Sequence, residues 1–166
     1  MRKFLFLLAI IAVLFVSSSQ TYEQQSIVPT LQNLLPDKPL ENQLAKLHIP
    51  YWGHTISVEE RGYYYFVEFL LRKAAHFFIF GLLALAVYYV LPRFRFRTIV
   101  AFVITVGFAI ADEYHQSLTG GRTPSAQDVL LDASGAFTFL LMFRVLHTVF
   151  GSRKRKRKPA YARRKK

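Results

Sequence analysis

The sequence predicts an all-α fold: a polytopic membrane protein, a four-helix transmembrane bundle with an amphipathic outer segment. Three observations carry this. Of the 166 residues, 52% are hydrophobic, and they come in long blocks separated by polar stretches, which is a membrane pattern rather than a globular one. Four such blocks occupy residues 4–16, 74–91, 98–111 and 129–150. Basic residues cluster before the first block, between the second and third, and after the fourth, so a chain that crosses four times puts every cluster on one side.

The length suits one domain. It divides into a membrane domain, residues 1–152, and a basic tail, residues 153–166. The formal net charge is +12, and ten Lys and Arg lie in the tail, so the remainder is close to neutral. Beside a transmembrane helix, such a tail is expected on the anionic inner-leaflet surface, with membrane lipids as its partner. Nucleic acid is not an expected partner, since Tyr161 is the tail's single aromatic residue. The chain has no cysteine, which excludes disulfides and thiolate metal sites.

The first block follows Arg2 and Lys3 and gives a span of about residues 4–19. With Ser17, Ser18 and Ser19 after it, it also fits a cleaved secretory signal. The second span covers residues 74–91. The third block has 14 residues, or about 21 Å of helix, against the roughly 20 residues a spanning helix needs. To cross, it recruits Phe96 and Arg97 at one end and Asp112 to His115 at the other, giving a span of about 96–115. An acidic end is thereby drawn towards membrane depth; a thinned bilayer or a re-entrant segment is the alternative. The fourth span covers residues 129–150. With Arg2, Lys3, Arg93, Arg95, Arg97 and the tail in the cytoplasm, both termini are cytoplasmic and residues 17–73 and 112–127 lie outside.

In the outer segment, residues 20–73, Ile27, Leu31, Leu34 and Leu35 have helical spacing, as do Leu40, Leu44 and Leu47. Pro29, Pro36, Pro39 and Pro50 break it into short pieces. These read as amphipathic helices on the outer surface. Tyr51, Trp52 and Tyr63 to Tyr65 suit the membrane interface. From about Glu59 the pattern is helical and runs on into the second span.

The polar residues gather at the outer helix ends. Glu68, Arg72 and His76 are spaced by four and share one face, with Lys73 beside them. Asp112, Glu113, His115 and Gln116 come together on the third helix, where Asp112 and Gln116 share a face. Asp128 and Asp132 lie one turn apart on the fourth, and Arg122 follows Gly120 and Gly121 in the connecting loop. The topology puts all of them at one depth, where ionisable groups are costly and are expected to face inward.

Bland readings compete with a functional one. Glu68 and Arg72 form a favourable helical pair. Ser125 and Asp128 match a capping box. His76 suits interhelical glue, and His48, His54 and His147 suit the interface. Asp112, Glu113 and Asp132 ask for more compensation than packing gives, and mutual neutralisation with Arg72 or Arg122 would be the least costly arrangement. Gly81, Gly107 and Gly135 permit close helix approach.

The chemistry such a group supports is recognition of an anion. Arg72, Lys73 and Arg122 could grip a phosphate, and the helix start near Ser125 adds backbone N–H groups and a positive dipole. The acids could hold Mg²⁺ or Ca²⁺, although no metal or other cofactor is specified by the residues. Asp128 and Asp132 are similar to the Asp-x-x-x-Asp half of lipid phosphotransferase motifs, without the glycine and arginine elements around it.

Three segments in order resemble the VanZ-like family of bacterial integral membrane proteins. They are Arg72-Lys73-Ala74-Ala75-His76-Phe77, then Asp112-Glu113-Tyr114-His115-Gln116, then Gly121-Arg122 with Asp128, Asp132 and Gly135. Asp132 stands where the family often has Asn. Ser17-Ser18-Ser19-Gln20 is also similar, which favours keeping the first helix. The resemblance implies a multi-pass protein of the bacterial cytoplasmic membrane, in a family whose founding member is linked to teicoplanin resistance. The resemblance supplies no reaction; with the polar residues on the outer side, the expected function is a non-enzymatic cell-envelope role, binding a lipid headgroup or lipid-linked cell-wall precursor at the outer face and lowering glycopeptide susceptibility. The binding residues would be Arg72, Lys73, His76, Asp112, Glu113, Gln116, Arg122, Asp128 and Asp132. The competing class is a membrane enzyme acting on a lipid-linked phosphate, with a metal held by the same carboxylates.

Overall fold

The structure is a computed structural model that describes residues 1–51, 53–119 and 125–156. Helix α1 spans Arg2–Ser18. Two short helices follow, α2 at Val28–Leu34 and α3 at Glu41–Leu44. A hairpin of β1, Ile49–Tyr51, and β2, His54–Ile56, leads to the single turn α4, Val58–Arg61. Three long helices complete the chain: α5 at Tyr63–Val90, α6 at Arg97–Leu118 and α7 at Ala126–Lys156.

Among the described residues, three helices are long and apolar enough to cross a membrane: α5, α6 and the Ala126–Phe150 part of α7. The expectation of a helical, membrane-crossing chain therefore holds, with three such helices rather than the four expected, since α1 is not among them. Helix α1 has 17 residues, or about 25 Å of rise, and packs against α5 and α6. Its outer face carries Phe4, Leu5, Leu8, Phe15 and Val16, all more than half exposed. Exposed apolar surface continues over α6 and α7 through Ile99, Val103, Ile110, Phe137 and Val149. A water-soluble chain does not leave patches of this extent bare; lipid covers them at no cost.

Small residues set how closely the bundle packs. Ala84, Ala86, Ala101, Ala109 and Ala136 are buried beside Phe80, Leu83 and Leu140. A Cβ on Gly135 of α7 would strike the carbonyl oxygen of Phe77 on α5, and one on Gly81 would strike the Phe139 ring. Without a hydrophobic force between helices in lipid, such close approach supplies the packing. Gly107 meets open space, so it is not a contact point as expected.

Helix was expected from about Glu59 on into the second span, and the chain is helical there in two pieces, α4 and then α5 from Tyr63. Tyr63, Phe66 and Phe69 of the first turns of α5 are buried under the outer segment. The break falls at Gly62, at φ +80°, a conformation that side-chain-bearing residues avoid.

The outer segment also departs from the all-α expectation. Residues 49–56 form an antiparallel hairpin with Ile49 facing Ile56 and Tyr51 facing His54, and Gly53 at φ +72° serves its turn. A satellite core of Ile56, Phe66 and Phe69, with Leu44, Ile49, Tyr51 and Val58 packed on it, fastens this segment to α5. Two of the tyrosines assigned to the membrane interface also tie down the outer segment. Tyr63 donates its hydroxyl to the Pro39 carbonyl at 2.8 Å and Tyr64 to that of Leu35 at 3.1 Å. Tyr65 stays half exposed, and Trp52 lies outside the described residues.

Candidate functional site

The start of α5, the end of α6 and the start of α7 come together at one end of the bundle, beneath the hairpin. A cavity of about 400 Å³ lies there, lined by Arg72, Lys73 and His76 of α5, Glu113 and Gln116 of α6, Asp128 of α7, and Tyr51 and His54 of the hairpin. Tyr22 and Gln25 close one side. Six of the nine residues singled out in the sequence thus line one space. Asp112 and Asp132 sit behind the wall, and Arg122 lies outside the described residues.

Lys73 is paired with Asp128 of α7. Tyr51 joins them from the hairpin: its hydroxyl donates to Asp128 at 2.6 Å and accepts from Lys73 at 2.9 Å. Burial, then the bond to Asp128, raises the Tyr51 phenol above its ordinary range, so it stays a donor. The Lys73 ammonium also lies 4.4 Å from the Tyr51 ring centroid and 5.3 Å from that of Phe69, where the ring quadrupoles attract a cation. This three-element knot was not legible in the sequence, which put Tyr51 at the membrane surface. Among the described residues, the cation paired with Asp128 is Lys73 rather than Arg72.

Arg72 is taken up elsewhere. It bonds Glu68 at 2.8 Å, the Gln25 side chain at 2.8 Å and the Tyr22 carbonyl at 3.2 Å, and stacks over the Tyr22 ring at 4.4 Å. Glu68 is fully buried and accepts the Ile27 backbone N–H at 2.9 Å and the Ser26 hydroxyl at 3.4 Å. The expected helical pair is therefore real, and it also anchors the outer segment. Buried charge of this kind is retained when each lone pair finds a donor.

The capping box is only half formed. Ser125 caps α7, its hydroxyl accepting the Asp128 N–H at 3.3 Å. The carboxylate that accepts the Ser125 N–H, at 2.6 Å, belongs to Glu113 of α6, not to Asp128. Asp128 is thereby free for Lys73. The helix start was expected to offer backbone donors to a phosphate; a carboxylate of the chain itself already takes one of them, favoured by the helix dipole.

Two further contacts reach back from the cavity wall. Ser18 of α1 donates its hydroxyl to Asp112, which also accepts from Gln116 at 2.6 Å. Nearby, the His115 ring stacks on Phe15 of α1 at 4.9 Å. Ser18 is buried and was signalled only by its place in a serine run. His76 lies 3.4 Å from Asp132, which is almost fully buried. Their facing atoms, His76 Nδ1 and Asp132 Oδ1, are buried but not aligned for a hydrogen bond, so the contact is ionic in distance only. Among the described residues no cluster of His, Asp and Glu has the geometry of a metal site.

The family model described as VanZ/LLP1 matches residues 3–147. No curated protein and no solved structure matches the chain.

Proposed function

The chain belongs to the VanZ/LLP1 family, and on that premise we propose that it is a cell-envelope membrane protein whose cavity binds a phosphate-bearing lipid headgroup or lipid-linked cell-wall precursor. The observation that carries this is the cavity of about 400 Å³ in which Arg72, Lys73 and His76 line the same space as Glu113, Gln116 and Asp128. A mixed wall of cations, acids and amides suits a ligand carrying both anionic and hydroxyl or amide groups. The carboxylates are engaged within the chain: Asp128 with Lys73, Glu113 with Ser125, Asp112 with Ser18 and Gln116. That engagement favours binding over catalysis.

The topology belongs to the same proposal. Helix α1 serves as a fourth span, the basic ends face the cytoplasm, and the cavity opens on the outer face, where cell-wall precursors meet glycopeptide antibiotics. The tail, residues 153–166, rests on anionic inner-leaflet lipid. Binding at the outer face would lower teicoplanin susceptibility.

A second reading rests on one observation. An imidazole that lines the cavity, His76, lies 3.4 Å from the buried Asp132, near enough for a small ring rotation to make the hydrogen bond that would orient a general base. One experiment separates the two. Purified protein in detergent is incubated with polyprenyl phosphates and Mg²⁺ and followed by mass spectrometry. Binding without turnover, weakened in Lys73→Gln, supports the first reading. Turnover lost in His76→Gln would replace it with an enzyme. Neither binding nor turnover would leave the cluster as structural glue.

A further inference from the structure

At the opposite end of the bundle lies a larger cavity, about 1040 Å³, between the chain start, the link from α5 to α6, and α7. Six cationic residues line it: Arg2, Lys3, Arg93, Arg95, Arg97 and Arg144. No acidic residue does. All ten Asp and Glu of the chain fall within residues 23–68 or 112–132, at the other end of these helices. Among the described residues, none of the six cations has a carboxylate partner. Like charges gathered around one concavity repel each other and concentrate anions there.

The cavity is also partly organised in advance. Arg97 Nε donates to the Tyr88 carbonyl at 2.6 Å, and its guanidinium lies 4.1 Å from the Tyr88 ring centroid. A guanidinium held in this way loses little freedom when its remaining N–H groups meet a phosphate. Between the cations the wall is apolar and aromatic, with Phe4, Tyr89, Phe94 and Phe143. Phe4 is 58% exposed and Phe94 43%.

We propose that this cavity binds the phosphate headgroup of an anionic phospholipid. The cations meet the phosphate, and the aromatic wall receives the glycerol and first acyl carbons. A free phosphate ion would leave that wall bare, so the lipid is the occupant. Among the described residues, those that line it run no further along the chain than His147, so the site is proposed as separate from the tail.

The test uses the full-length protein in neutral detergent. Phosphatidylglycerol, phosphatidylcholine and inorganic phosphate are each titrated, with thermal unfolding and native mass spectrometry as readouts. Phosphatidylglycerol should raise Tm and remain bound, and the other two should do neither. The double variant Arg95→Gln/Arg144→Gln removes two exposed cations and should weaken phosphatidylglycerol binding about tenfold. The tail variant Arg153→Gln/Arg155→Gln should change it less than twofold. Should the double variant fail to fold, Arg93→Gln on the exposed link gives a smaller loss in the same direction. Equal losses in cavity and tail variants would mean diffuse attraction and overturn the site. Inorganic phosphate matching the lipid would overturn the lipid as occupant, as would equal binding of phosphatidylcholine.

Discussion

Glu113 accepts the backbone N–H of Ser125 at 2.6 Å, so a carboxylate at the end of α6 completes the cap of α7. If this is what Glu113 does, its charge matters less than its acceptor oxygen. Glu113→Gln should keep most of the stability, while Glu113→Ala loses about 1–2 kcal/mol. Thermal unfolding of both variants in one detergent decides it. Equal losses would show that the negative charge, not the cap, is needed.

Lys73, Asp128 and Tyr51 are predicted to act as one unit. The ion pair is about one-fifth exposed at each side chain, so breaking it should cost about 1–3 kcal/mol, below the figure for a fully buried pair. Lys73→Met and Asp128→Asn should each cost this, and the double variant little more than either alone. Additive losses in that cycle would dissolve the unit. Tyr51→Phe should loosen the hairpin, read as faster amide exchange at residues 49–56.

The two glycines at the α5–α7 contact separate from the third. Gly135→Ala sets a methyl against the Phe77 carbonyl, and backbone cannot swing aside as a side chain can. It should cost about 1–3 kcal/mol or abolish folded yield. Gly107→Ala faces open space and should be neutral or slightly stabilising. Fluorescent size-exclusion yield compares them, and a tolerated Gly135→Ala would contradict the observed close approach.

The contact of Ser18 with Asp112 requires α1 to remain attached. An N-terminal epitope should therefore stay on the mature protein in membranes, at the full-length mass. Reporters fused after residues 20 and 120 should read external, and those after residue 95 and at the C-terminus cytoplasmic. An internal signal at residue 120 would overturn the topology. In the same cells, Asp112→Asn should impair the proposed envelope function more than Glu41→Gln, whose carboxylate pairs with the exposed Lys38.

The sequence by itself determined the helices, the segregation of charge and the set of polar residues. Hydrophobic blocks and their basic flanks reflect the cost of placing charge and unpaired backbone in lipid, which is paid residue by residue and so is written locally. The motif carrying Arg72, Lys73 and His76 and the one carrying Glu113 and Gln116 could be read as one group because topology alone puts them at the same end.

What only the tertiary structure decided is who partners whom. The spacing of Ser125 and Asp128 suggested a cap closed within α7. Glu113 closes it instead, because α6 ends close enough for its carboxylate to reach a backbone donor, and that releases Asp128 to Lys73. Tyr51 reads as a surface aromatic until the hairpin, fastened by Ile56 against Phe66 and Phe69, brings it over the cavity. Pairing energies depend on distances between segments tens of residues apart, and no local pattern records those distances.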